Sequence, residues 1–284
     1  MVQASPPLVA ATLAVLAAAM CAVAFRWHVI LCAGAWSPGR RILLMLVFIG
    51  AFFNQVLPTG VGGDAVRAWR CNKLGMGLGS SIRSILLDRA CGYVVLIIIY
   101  LMALPSLLQL LPEARDKALV AAGLAAGLVG LLGLVSVDYL PRSLQRIRVV
   151  ALLAELSRES RRLFADRRRA GIVLGLSVVT ISLTIAAFKL IAEAIGTHLS
   201  LGNWAMIVPP VTLIQLLPVS LAGWGVREVA LVLILGAFGV AAETALAISI
   251  LSGLCMILVG LPGGLIWLAD LDLSGVQRPN RVPH

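Results

Sequence analysis

Charge is scarce in this chain. Asp, Glu, Lys and Arg together make up 13% of its 284 residues, about half the share of an ordinary soluble domain. Soluble stretches are scarce too: hydrophobic residues reach 60%, and the mean hydropathy is +1.01. That balance excludes disordered, collagen-like, disulfide-scaffold and most soluble-enzyme classes. Alternation with period two is missing, because the apolar residues run in blocks, and this argues against a β-barrel. The five cysteines (Cys21, Cys32, Cys71, Cys91, Cys255) form no CxxC. Most lie in apolar runs, where Cys acts as a small hydrophobe. The three histidines (His28, His198, His284) have no metal spacing, so no metal is expected. No Lys or Arg occurs in Met1–Pro7, and the apolar run that follows extends from Leu8 to Phe25. Cleaved signals have a basic start and a shorter core, so this run reads as a retained first span.

What is present is apolar sequence in eight segments: Leu8–Phe25, Ile42–Leu57, Ser81 to about Leu104, Ala118–Val137, roughly Ala170–Ile195, Trp204–Leu217, Val229–Ala242 and Ala245–Ala269. The expected fold is all-α, a polytopic transmembrane helix bundle of about eight segments. A full span needs about 20 residues. Segments two, six and seven are short and adjoin Pro/Gly-rich stretches, as broken, tilted or re-entrant helices do.

Positive charge exceeds negative by ten. Nine arginines lie in the one long polar stretch, Asp138–Arg169. The positive-inside rule places that stretch in the cytoplasm, near anionic lipid, and nucleic acid is not an expected partner. Ile147–Phe164 has apolar residues at helical spacing with Arg between them, the pattern of an amphipathic helix on the inner leaflet. The expected organisation is a single membrane domain, 1–284, with halves 8–137 and 170–269 joined by the basic loop 138–169. Four spans on each side put both termini in the cytoplasm. This parity also places Arg26, Arg40 and Arg41 outside, against the charge rule; one re-entrant element in the first half removes the conflict.

The two halves match at their breaks. Gln55–Arg67 reads QVLPTGVGGDAVR and Gln215–Arg227 reads QLLPVSLAGWGVR, and the two align without a gap. Pro58 and Pro218 break the helix. Gly62, Gly63, Gly223 and Gly225 allow unusual backbone angles and close approach. Backbone groups freed in this way cannot face lipid and must line protein or water. Paired breaks at corresponding positions of an internal repeat point to a transporter's substrate site. The same breaks also fit a pair of interfacial turns, each Arg snorkelling to phosphate.

Ionisable groups gather nearby: Asp64 and Arg67 at i, i+3, then Asp88-Arg89, then Arg227-Glu228. Groups of this kind at membrane depth are costly and are candidates for function, with paired or interfacial structure as the alternative. Arg offers a bidentate fork for phosphate, and a carboxylate can orient it or meet a cationic group. Asn54, Asp64, Arg67, Asp88, Arg89, Ser220, Arg227 and Glu228 form the expected substrate-binding set. Lys189 and Glu193, at i, i+4, read as a self-neutralising pair. The GxxxG pairs Gly123/Gly127, Gly171/Gly175 and Gly260/Gly264 read as helix packing. No nucleophile–base set, Walker loop or carboxylate cluster is visible, so neither catalytic residues nor cofactors are expected. Any transport would run downhill or on an ion gradient.

Several of these residues together resemble one family: Arg26-Trp27, Asn54 through Leu57-Pro58 and Gly62-Gly63-Asp64 to Arg67, Asp88-Arg89 with Gly92, and Leu217-Pro218-Val219-Ser220 through Gly223-Trp224-Gly225-Val226-Arg227-Glu228. They resemble the flippase-like transmembrane region of lysylphosphatidylglycerol synthases, which also occurs in stand-alone membrane proteins. The resemblance covers about residues 8–270. It implies a multi-pass bacterial inner-membrane protein that moves or handles a polar lipid, anionic or aminoacylated. In two-part members a cytosolic aminoacyl-transferring domain follows the membrane region. Here the sequence stops at His284, so lipid aminoacylation by this chain is not expected. Membrane lipids are the expected partners. The alternatives are an accessory protein that docks a separate lipid- or glycan-modifying enzyme through 138–169, and an integral lipid transferase.

Overall fold

The computed structural model describes residues 5–34, 36, 38–57, 61–111, 113–137, 147–215 and 225–269. Pro58, Pro218, Ser220 and Gly223 lie outside the described residues. Ten helices are described: α1 (Pro6–Ala33), α2 (Arg40–Val56), α3 (Gly62–Lys73), α4 (Leu78–Leu110), α5 (Ala114–Ser136), α6 (Arg148–Ala165), α7 (Arg167–Ala194), α8 (Leu201–Ile214), α9 (Val226–Ala237) and α10 (Ala242–Leu268). The protein is all-helical among these residues. Five helices, α1, α4, α5, α7 and α10, are long and apolar enough to cross a membrane. This is a multi-pass membrane architecture.

Five described helices reach the length of a span, where about eight segments were expected, some of them broken or re-entrant. The second, sixth and seventh segments form helices of 17, 14 and 12 residues, short of or at the lower limit for a span. They belong to two helical hairpins. α3 folds back along α2: Asn54 Oδ1 accepts from the Gly63 N–H at 2.8 Å, and Ala68 and Cys71 share a buried cluster with Leu43, Leu46 and Val47. Trp36, Leu74, Met76 and Ile82 pack around the same cluster. The start of α2, the end of α3 and the start of α4 therefore lie at one end of the bundle.

Helix directions follow from the contacts. α1 and α7 are antiparallel: the Ser5 N–H donates to the Ala194 carbonyl at 3.0 Å, and Arg26 Nη1 donates to Ser177 Oγ at 3.1 Å. α10 is antiparallel to α2, with Gly260 against Phe52, Gly263 against Phe48, and Gln55 Nε2 3.9 Å from Met256 Sδ. A Cβ at Gly263 would collide with the Phe48 backbone; glycine lets the two helices approach this closely. α10 ends where α3 ends, with the Trp267 and Trp69 rings 5.7 Å apart. α9, joined to α10 by a short turn, returns to the end from which α8 starts, so α8 and α9 form the second hairpin.

The ends differ in charge. One carries Arg40, Arg41, Arg70, Lys73 and the amphipathic α6, which is tied to α4 by Arg83 donating to Glu159 at 2.8 Å and to Glu155. Ser5 sits at the other end, and α10 finishes at the basic one. The described chain thus begins and ends at opposite ends of the bundle, where the sequence reading had its two ends on one side. The cause is parity: the first hairpin turns back where the sequence reading had the chain cross. The helix expected over Ile147–Phe164 is found as α6.

Candidate functional site

The ionisable groups form three separate constellations. The first lies inside the bundle between α1, α4 and α7. Arg26 Nε donates to Asp88 Oδ1 at 2.7 Å, and both side chains are buried. Beside them Trp27, fully buried, donates from Nε1 to Ser84 Oγ at 3.3 Å. Arg26 lies two turns before the end of α1, so α1 does not stop at Phe25; pairing and burial make the charge tolerable there.

The second constellation links α3 to α4. Asp64 accepts from Arg67 Nη1 at 3.1 Å through Oδ1 and from Arg89 Nε through Oδ2. Asp64 also stands in the first turn of α3, where the helix dipole favours a negative charge. Arg67 is 5% exposed, and its guanidinium lies 4.1 Å over the Trp27 ring. Its Nε and Nη2 have no hydrogen-bond partner among the described residues. Gly50 and Gly63 make room for this arrangement. A Cβ on Gly50 would stand 2.5 Å from Arg67 Cδ, and one on Gly63 would strike the Gly50 carbonyl.

The third links α9 to α10. Arg227 Nε donates to Ser249 Oγ at 2.9 Å, and Arg227 Nη2 to Glu228 Oε1 at 3.2 Å. Ser249 Oγ donates to the same Glu228 oxygen at 2.7 Å. The Gly225 N–H donates to Glu228 Oε2, with Gly225 at φ +86°, a left-handed conformation that suits glycine. This contact, the Glu228 half of a capping box, secures the start of α9.

A cavity of about 1060 Å³ lies between α4, α5 and the α8–α9 hairpin. Val61, next to the first break, and Ile214 and Gly225, flanking the second, all lie on its wall. Leu153 of α6 lines it from the basic side. Among the described residues the wall is apolar except for Arg89 and Tyr93, whose hydroxyl is 3.4 Å from Arg89 Nη1. Gly123 and Gly127 of α5 line it, and a Cβ on either would meet the Ile214 or Leu213 side chain in ordinary contact.

The sequence-expected residues thus separate. Arg89, Gly225 and Val226 reach the cavity; Asp64 and Arg67 stand behind Arg89, and Arg227 and Glu228 behind Gly225. Asp88, one position from Arg89, points away from the cavity, into the Arg26 pair. Asn54 caps the Gly63 N–H and holds the first hairpin rather than facing the cavity. Gly62 packs on Leu57. Lys189 and Glu193 pair as expected. Of the GxxxG pairs, Gly260/Gly264 pack against α2, Gly123/Gly127 face the cavity, and Gly171/Gly175 have nothing within 4 Å of a built Cβ. Ser249, Tyr93 and Ser177 were not singled out by sequence; only their positions across helices give them a role. No group of His, Cys, Asp and Glu able to hold a metal occurs among the described residues.

A family model described as the lysylphosphatidylglycerol synthase TM region matches residues 2–264. No curated protein and no solved structure matches.

Proposed function

The chain belongs to the lysylphosphatidylglycerol synthase transmembrane-region family, and from that premise we propose that it binds a polar membrane lipid in the α4–α5–α8–α9 cavity and carries its head group between leaflets. The observation that carries this reading is the cavity wall. Residues flanking both breaks, Val61, Ile214 and Gly225, lie on it, its surface suits acyl chains, and a single cation, Arg89, stands on it among the described residues. An apolar space with one placed polar anchor suits an amphiphile better than a small polar solute. The guanidinium takes the phosphate; Asp64 and Arg67 hold it in place.

The internal repeat belongs to the same proposal. α1, α2, α3 and α4 start at Pro6, Arg40, Gly62 and Leu78, and α7, α8, α9 and α10 start at Arg167, Leu201, Val226 and Ala242, a nearly constant offset. In each set a long helix, a two-helix hairpin and a second long helix follow one another, and α1 runs opposite to α7. We read these as an inverted repeat, with the two helical hairpins running in from opposite ends of the bundle, an arrangement used for alternating access. The basic end faces the cytoplasm, which brings Arg40, Arg41 and the α6 loop to one side. In a bacterial cell the membrane is the inner one. α6 contributes Leu153 to the cavity, which favours transport over a docking role for the basic loop.

Reconstituted vesicles test the proposal. Bleaching of a head-group-labelled phospholipid by external dithionite reads its movement across the bilayer. The wild-type chain should accelerate movement over empty vesicles, and Gly127→Trp, which fills the cavity, should abolish the gain. Equal rates for the two proteins would overturn the assignment.

A further inference from the structure

We infer that the cavity selects a lipid with a net negative head group and rejects one esterified with a cationic amino acid. This deepens the lipid-site reading above and rests on it.

The argument is one of charge and of who already holds whom. A lysyl-type lipid carries a phosphodiester and two ammonium groups, so its site must offer carboxylate as well as guanidinium. No Asp or Glu lines this cavity among the described residues. The residues of the two breaks at 58–60 and 216–224 contain none either. The nearby carboxylates are engaged. Asp64 has one oxygen on Arg67 and the other on Arg89. Asp88 is paired with Arg26 and is 1% exposed. Both oxygens of Glu228 are occupied, by Ser249, Arg227 and the Gly225 N–H.

The remaining charge is positive. Among the described residues Arg67 and Arg89 together face one carboxylate, Asp64, so the cluster carries one uncompensated positive charge. The Arg89 side chain, 32% exposed, presents it to the cavity. The equivalent cluster of the second half is neutral, since Ser249 stands where Arg89 stands in the first. An uncompensated cation at membrane depth is costly. A phosphatidylglycerol head, with one negative charge, neutralises it. A zwitterionic head leaves it in place, and a lysylated head adds to it in a space of low dielectric, where repulsion is strongest.

Competition on the purified full-length protein in neutral detergent tests this. A pyrene-labelled phosphatidylglycerol is bound first, then displaced by phosphatidylglycerol, phosphatidylcholine or lysylphosphatidylglycerol. Phosphatidylglycerol should displace it best and lysylphosphatidylglycerol worst, by about tenfold to hundredfold, the worth of one charged hydrogen bond. Arg89→Gln should level the three, and Arg89→Lys should restore the order. Equal displacement by all three in the wild type, or preference for the lysylated lipid, would overturn the selectivity while leaving the lipid site standing. Probe binding that Gly127→Trp does not reduce would overturn the lipid site itself and the selectivity with it.

Discussion

Arg89 and Ser249 play like parts in two separate clusters. Each is the long-helix partner of a carboxylate that also holds a buried arginine: Arg89 through Asp64 to Arg67, Ser249 through Glu228 to Arg227. The arginines Arg67 and Arg227 are 5% and 2% exposed. They serve the framework, while Arg89 faces the cavity. Arg67→Ala and Arg227→Ala should therefore cost stability, about 3–5 kcal/mol for breaking a buried pair. Arg89→Ala leaves the Arg67–Asp64 pair intact and should cost about 1–3 kcal/mol. Thermal unfolding in detergent measures the difference.

The Arg26–Asp88 pair should behave as structure. Asp88→Asn alone should destabilise by about 3–5 kcal/mol, because Arg26 is left buried without its counter-ion. The double change Arg26→Met/Asp88→Leu should recover most of that loss, since apolar replacement of a buried pair is often neutral or better. Unfolding midpoints of Asp88→Asn and of the double variant check this. A double variant as unstable as Asp88→Asn would give the pair a role beyond its mutual charge.

Glycine positions separate by what surrounds them. Gly63→Ala and Gly263→Ala force a methyl group into backbone and should cost about 1–3 kcal/mol or more through overpacking. Gly171→Ala meets nothing within 4 Å and should be neutral or slightly stabilising, as Ala is the better helix former. Unfolding temperatures of the three variants decide it.

Much of the fold was legible in hydropathy. All eight apolar segments became helices, though α1 continues to Ala33, past the point where Arg26 suggested an end. A charge paired inside the bundle looks, in sequence, like a charge at the interface. The Asp64–Arg67 contact follows from i, i+3 spacing on a helix. Its link to Arg89 does not, because two separate helices must pack, α3 on α4, to bring the groups together. The divergence of Asp88 and Arg89 follows from helix geometry once the axis is fixed, since adjacent residues point about 100° apart. Hairpin or crossing was the undecided point at the first break. It is resolved by tertiary contacts, Gly50 on Gly63 and Leu43 with Cys71, that no local pattern encodes.

The hairpin makes a topological prediction. In a cysteine-free background, Gly39→Cys and Asn72→Cys should react with a membrane-impermeant maleimide from the same face, and Ala241→Cys from the opposite one. Labelling of spheroplasts against inverted vesicles reads this. If residues 39 and 72 label from opposite faces, α2–α3 crosses the membrane and the inverted repeat is wrong.

The central claim is that Arg89, and not the break arginines, meets the lipid. Native mass spectrometry of the purified protein tests it most directly, counting lipid that survives delipidation. The account predicts a phospholipid retained by the wild type, lost from Arg89→Ala, and still retained by folded Arg227→Ala. Retention by Arg89→Ala together with loss from Arg227→Ala would contradict it.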